Sequence, residues 1–226
     1  MQALNNPMMF HENILSDSTI GNALMNDVFR NDISHDNFYQ TGYEPMIFNR
    51  NNAFALETVL SSVVPLEKEV IIINTGADTT KTVELCLHHD ITYSIVETTS
   101  TYDNWKVIDD LMTAKGNISH IIISFSPASS ITSKELMQLG KLTEKWRIGF
   151  IVNSNSKSIP INDVKRYNID YLIGCTDHTD LQSFILARRS RLVQTEGNSR
   201  SSLYDLYGYW QKALWHRRPE IEPMAF

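Results

Sequence analysis

Short, almost unbroken apolar runs punctuate the middle of the chain. EVIIIN (69–74), TYSIVE (92–97), SHIIISF (119–125), IGFIVN (148–153) and DYLIG (170–174) are rich in β-branched and aromatic residues. Strands buried on both faces read this way. Helical spacing fills the gaps. TTKTVELCLHH (79–89) sets Val83 and Leu87 four apart, with Cys86 three after Val83. WKVIDDLMTA (105–114) places Val107, Ile108, Leu111 and Met112 on one face. SKELMQLGKLTEKW (133–146) spaces Leu136, Leu139 and Leu142 helically behind Ser133, an N-cap candidate. INDVKRYN (161–168) is a shorter amphipathic segment. Alternation of this kind predicts βαβ units and an α/β fold: a doubly wound, mainly parallel sheet.

The pattern breaks once. SFILARR (183–189) follows DYLIG after only residues 175–182, whereas a parallel return needs a crossover of a dozen or more residues. SFILARR is therefore expected to run antiparallel to DYLIG or to leave the sheet. STIGNALMNDVFRND (18–32) and NNAFALETVLSSVV (51–64) precede the sheet as helices. Asn51 or Asn52 can cap the second, and Pro65 stops it. SSLYDLYGYWQKALW (201–215) reads as a helix with Leu203, Leu206, Tyr207 and Trp210 on one side. There is no internal repeat. The expected organisation is an N-terminal arm over 1–44, a domain over 45–215 and a tail over 216–226.

Composition narrows the function classes. The 226 residues carry a net charge of −6 with 42% hydrophobic residues, enough for one substantial core. A mildly acidic chain offers no footprint for nucleic acid or anionic membrane. The opening MQALNNPMMFHEN lacks a basic segment followed by a long apolar one, and no run reaches membrane-spanning length. The expectation is a cytoplasmic protein in which Cys86 and Cys175 are free thiols. His88 and His89 are adjacent, so on a regular helix they point to different faces and form no metal pair; no metal site is expected. Ser154 and Lys157 match S-x-x-K, a pattern short enough to arise by chance.

Several pieces, in order, resemble one family. NNAFALETVLSSVVP is similar to a phosphate-loop helix, VIIINTGA to the strand and turn after it, and ISHIIISFSPASSIT to a strand ending in a Glu-Thr-Thr-Thr-Gly run. IGFIVNSNSKSIPIN resembles the strand carrying a cofactor-binding aspartate, and IDYLIGCTDH the strand leading to a Schiff-base lysine. FILARRSRLVQTEGNSRSSLYDLYGYW keeps Ser-Arg-Ser and Asp-Leu-Tyr elements. Over about residues 45–215 the chain resembles class V, fold-type I pyridoxal-phosphate aminotransferases, in particular their phosphonate-metabolising branch. The resemblance implies a large-domain sheet with one antiparallel strand, which agrees with the short link at 175–182.

The same resemblance locates the positions of the family's chemistry, and there this chain departs from it. The lysine position falls on His178, whose imidazole cannot form the internal aldimine. The aspartate that holds the pyridine nitrogen protonated falls on Asn153, a neutral amide. The Gly-Ser-Gly-Thr phosphate loop falls on Arg50, Asn51, Asn52 and Ala53, whose side chains obstruct a backbone nest. The ring-stacking aromatic falls near Asp78, and the glycine-rich link after the lysine is shortened to TDLQ. The Thr-Pro-Gly-Pro substrate loop has no counterpart in NNPMMFHENILSD. The small C-terminal domain with its carboxylate-binding arginine is expected to be absent.

These departures lead to a catalytically degenerate aminotransferase-like protein without bound pyridoxal phosphate. Its expected role is interaction or small-anion binding through a remnant cleft of Arg50, Asn51, Asn52, Asp78, Asn153 and His178. The expected partners are a second copy in a homodimer or an intact aminotransferase chain. The alternative is a pyridoxal-phosphate aminotransferase of phosphonate or amino-acid metabolism, with a rebuilt site or one completed by a partner. Lys157 is then the one lysine in the segments assigned to the strands' carboxyl ends. His178 can otherwise be a solvated loop histidine, Asn153 a strand-end residue and Arg50 a surface cation.

Overall fold

The computed structural model describes residues 41–76, 79–97, 104–125, 131–154, 159–175 and 182–216. Seven strands form one sheet: β1 (Tyr43–Phe48), β2 (Glu69–Asn74), β3 (Thr92–Glu97), β4 (Ile118–Phe125), β5 (Gly149–Ser154), β6 (Tyr171–Cys175) and β7 (Ser183–Arg188), in the order β1-β7-β6-β5-β4-β2-β3. Pairings β2–β3, β2–β4, β4–β5 and β5–β6 are parallel. β7 runs antiparallel to both its neighbours, β6 and β1, as the short link before it requires.

Helices cover both faces. On one lie α1 (Asn52–Val63), α2 (Thr79–His88), the single-turn α6 (Arg189–Leu192) and α7 (Leu206–His216); on the other lie α3 (Asn104–Lys115), α4 (Ser133–Trp146) and α5 (Ile161–Arg166). The strands' period of two divides their side chains between two cores. Ile71, Ile73, Ile121, Ile123, Phe150 and Val152 face α3–α5, whereas Val70, Ile72, Ile122, Ile151 and Ile173 face α1, α2 and α7. Burial on both faces explains why these strands read as continuous apolar runs rather than alternating ones.

β1 is a strand the hydrophobic pattern does not announce. It contains Pro45 and Glu44 and opens two residues before the expected domain start. The proline is tolerated because β1 is an edge strand, where its missing N–H costs no ladder bond. Glu44 is buried because the Arg189 Nε donates to its Oε1 at 2.6 Å.

Local signals refine the helices. Asn51 is the N-cap of α1, and its side chain accepts from the Phe54 amide at 3.1 Å. Thr132 rather than Ser133 caps α4, because Thr132 and Glu135 form a reciprocal capping box. Residues 201–215 are not one helix. Ser202–Tyr204 form a 3₁₀ turn, and α7 starts only after Asp205, whose Oδ1 accepts from the Gly208 amide. The buried face is consequently Leu206, Tyr209, Trp210 and Ala213, while Leu203 is exposed. In α2 the buried residues are Thr79, Thr82, Leu85 and Cys86, and Leu87 points to solvent. The 18–32 helix lies outside the described residues. Among those described, no helix is long and apolar enough to cross a membrane.

The stretch holding Ser-Arg-Ser ties the chain's end to α1. The Arg200 guanidinium donates to the carbonyls of Val64 and Pro65, and the Arg200 amide donates to Ser61 O. Ser62 donates to Tyr204 O at 2.6 Å and accepts from the Leu206 amide at 2.8 Å. Carbonyls left open at the end of a helix thus acquire donors.

Candidate functional site

Open α/β sheets bind ligands at the carboxyl ends of their strands, near the point where the strand order reverses. Here the reversal lies between β2 and β4: the chain passes from β2 outward to β3 and returns across β2 to β4. The stretches 77–78, 98–103, 126–130, 155–158 and 176–181, which follow β2 to β6 along the chain, lie outside the described residues. Asp78, Lys157 and His178 are among them.

The described part of this edge is polar on the α1 face. Met46, Ile185, Ile173, Asn153 and Ser124 lie in one register row across β1, β7, β6, β5 and β4. The row changes from apolar to polar at Asn153. In the next row Ser183 sits between Phe48 and Cys175. Asn153 is 2% exposed and Ser183 fully buried, yet the Asn153 Oδ1 and the Ser183 Oγ have no hydrogen-bond partner. Leaving a buried polar group unpaired costs about 1–3 kcal/mol, so each is a place where a ligand or water gains a hydrogen bond.

The start of α1 reaches the same edge. Only three residues separate Phe48, at the carboxyl end of β1, from Asn52, and the Gln182 side chain donates to Asn49 Oδ1 at 3.0 Å. With Phe54 N held by Asn51, helix geometry leaves the amides of Asn52 and Ala53 without intrahelical acceptors. The Nδ2 of Asn52 is buried and unpartnered. Arg50 is exposed, its guanidinium carbon 6.0 Å from the centre of the Phe54 ring. Arg50, Asn51, Asn52 and Asn153 therefore share one edge and one face.

Asn74 organises the neighbouring turn. Its Oδ1 accepts from Gly76 N at 3.0 Å and from Thr79 Oγ1 at 2.9 Å, while Nδ2 donates to Glu97 Oε2. Thr75 Oγ1 donates to Ser124 O at 2.8 Å and links β2 to β4. The turn's polar residues are thus occupied in shaping the chain.

Two clusters escape the sequence pattern. At the amino end of β6, Asp170 is buried, 2.8 Å from Arg188 Nε and 3.5 Å from Arg191 Nε, and accepts from the Phe150 amide. Burial raises its pKa, against the lowering pull of the two guanidinium groups. This network borders a cavity of about 500 Å³ lined by Thr41, Lys165, Arg188 and Val193, at the edge opposite the cleft.

The second cluster gathers His88 and His89, which helix geometry alone sets on different faces. α2 ends at His88, the His89 amide still donates to Leu85 O at 3.1 Å, and the chain turns off the helix at Asp90, φ 52°. Their ring centroids are 4.9 Å apart, and both reach Glu57 of α1. The three side chains each bring a ligand atom to within 4.8 Å of the others. Glu57 was not singled out by its spacing, because its neighbours come from 31 and 32 positions away along the chain.

A seven-stranded, mostly parallel sheet of this order with helices on both faces is the large-domain fold of pyridoxal-phosphate aminotransferases. Solved structures share it. The phosphoserine aminotransferase from Cytophaga hutchinsonii superposes with a TM-score of 0.63 at 13% identity, over 91% of this chain and 57% of that one. Alanine–glyoxylate aminotransferase from Nostoc sp. gives 0.61 at 11% identity, over 98% of this chain and 59% of that one.

In sequence the chain is similar to 2-aminoethylphosphonate–pyruvate transaminase. It is 28% identical over 181 residues to that protein of Salmonella paratyphi C, and equally to that of Salmonella typhimurium. The alignments cover 75% of this chain, which spans about half (48%) of the relatives' length. No protein-family model matches it.

The residues present fit the family cofactor only in part. The unpartnered Asn153 Oδ1 can accept from a ring N–H, but an amide has no charge to keep a pyridine nitrogen protonated. At the phosphate end, Asn51 occupies its own helix terminus and Asn52 carries a side chain where the family has glycine. The position the resemblance marks for covalent attachment, His178, lies outside the described residues.

Proposed function

We propose that this chain is an aminotransferase-fold protein that no longer transaminates and acts by association, holding at most a small anion in the remnant cleft. The observation that carries the reading is Asn153: a buried, neutral amide with an unpartnered Oδ1 where the resemblance places the family's charged aspartate. His178 at the lysine position and Arg50–Ala53 in the phosphate loop support it. The free amides at the start of α1 and the Arg50 charge favour an anion, while Asp78, immediately before α2 in the sequence, opposes it. Affinity is accordingly weak, on the order of millimolar to high micromolar. The partner in this reading is a second copy of the chain or an intact aminotransferase.

One observation favours a second reading. The same Asn153 Oδ1 can accept from a protonated ring, so a cofactor held without a covalent bond, or a site completed by another chain, leaves a transaminase acting on 2-aminoethylphosphonate and pyruvate, as the relatives' name describes. An absorbance scan with added pyridoxal phosphate, followed by borohydride and mass spectrometry, separates the two. The expected result is no aldimine band and no mass added to any lysine. A borohydride-sensitive band with modified Lys157 would establish the second reading instead.

A further inference from the structure

At positions other than those the family resemblance marks as chemical, Glu57, His88 and His89 form a compact set of nitrogen and oxygen donors. Glu57 lies in α1, 14% exposed at its side chain; His89 follows α2 and is 7% exposed; His88 ends α2 and is 71% exposed. The Glu57 Oε1 is 2.9 Å from the His89 Nε2 and 3.9 Å from the His88 Nε2. We propose that these three side chains bind a zinc ion, with a fourth position open to solvent on the His88 side.

Geometry and donor chemistry both support this. Zinc takes imidazole nitrogen and carboxylate oxygen at about 2.0–2.2 Å, and a tetrahedral arrangement then sets ligand atoms about 3.3–3.5 Å apart. The two distances from Glu57 bracket that value. His89 and Glu57 are already fixed, so closure requires movement mainly of the exposed His88 ring. Two imidazoles and one carboxylate suit zinc, whereas calcium and magnesium prefer all-oxygen sets. The ion takes the place of the proton now shared between His89 and Glu57.

Surrounding groups set the outer shell. The Tyr204 ring packs edge-on against His89 at 5.7 Å. Because Glu57 and the histidines belong to successive helices, the bound ion cross-links α1 to the end of α2 and raises the melting temperature.

The test is zinc titration of the full chain by calorimetry, with melting temperature followed in parallel. Losing even an outer-shell partner typically costs 10–100-fold in metal affinity, so His88→Ala should weaken binding by at least about tenfold. Since His88 is exposed, its zinc-free melting temperature should match wild type. Glu57→Gln, which keeps the side chain's size but removes its charge, should weaken binding similarly. Cobalt substitution should give tetrahedral d–d bands without a thiolate charge-transfer band. Equal zinc affinity in wild type and His88→Ala, no zinc-dependent rise in melting temperature, or a thiolate band pointing to Cys86 or Cys175 would each overturn the site.

Discussion

Acidification should destabilise this protein through one histidine. His120 on β4 is buried against the α1-side core, its ring 6.4 Å from Tyr171 and its Nδ1 2.9 Å from Ser119 Oγ. The space it occupies exists because residue 149 is glycine: a Cβ there would lie 2.1 Å from the His120 ring. Burial first, and the Arg191 charge second, push its pKa from 6.5 down to about 3. The folded state thus refuses a proton that the unfolded chain accepts below about pH 6.5. Stability is complete above that value and falls by about 1.4 kcal/mol per pH unit until the folded-state pKa is reached. At pH 5 the loss is about 2 kcal/mol, a large share of the 5–15 kcal/mol typical of a domain.

The assay is urea unfolding of wild type and His120→Gln at about pH 7.5 and pH 5. Other groups titrate in both proteins, so the difference between the two pH dependences isolates His120. Wild type should lose about 2 kcal/mol more than the variant. Should the variant fold poorly, ring chemical shifts of His120 in the wild-type protein serve instead. Titration of His120 near 6.5 in the folded state, or equal pH dependences, would refute the reasoning.

Two further outcomes follow from packing. Gly140→Ala should cost at least about 3 kcal/mol by thermal or urea unfolding, since the new Cβ would stand 1.8 Å from the backbone oxygen of Tyr167, which cannot swing aside as a flexible side chain could. The association reading predicts a dimer by light scattering; a mass of 25.9 kDa over a wide concentration range would count against it.

Much of the architecture is set by local rules that the chain carries openly. Runs such as EVIIIN and IGFIVN commit to buried strands because both their faces are apolar, and the eight residues at 175–182 are too few for a parallel return at β7. Asn51 caps α1 because an amide oxygen just ahead of an apolar helix meets an orphan N–H. That Asn153 is neutral is also plain from the sequence. Its buried, unpartnered Oδ1 is not, because burial depends on β4, β6 and α1 closing over it. Tertiary context alone decided the rest. β1 contains a proline and a glutamate, and only its edge position and Arg189 make a strand of it. Gly140 and Gly149 look like helix and strand blemishes until Tyr167 and His120 fill the spaces beside them. Glu57, His88 and His89 lie on two helices whose packing no periodicity encodes. Sequence spacing reports which residues share a face of one element; which faces meet depends on the sum of burial over the whole sheet, and that sum exists only in the folded molecule.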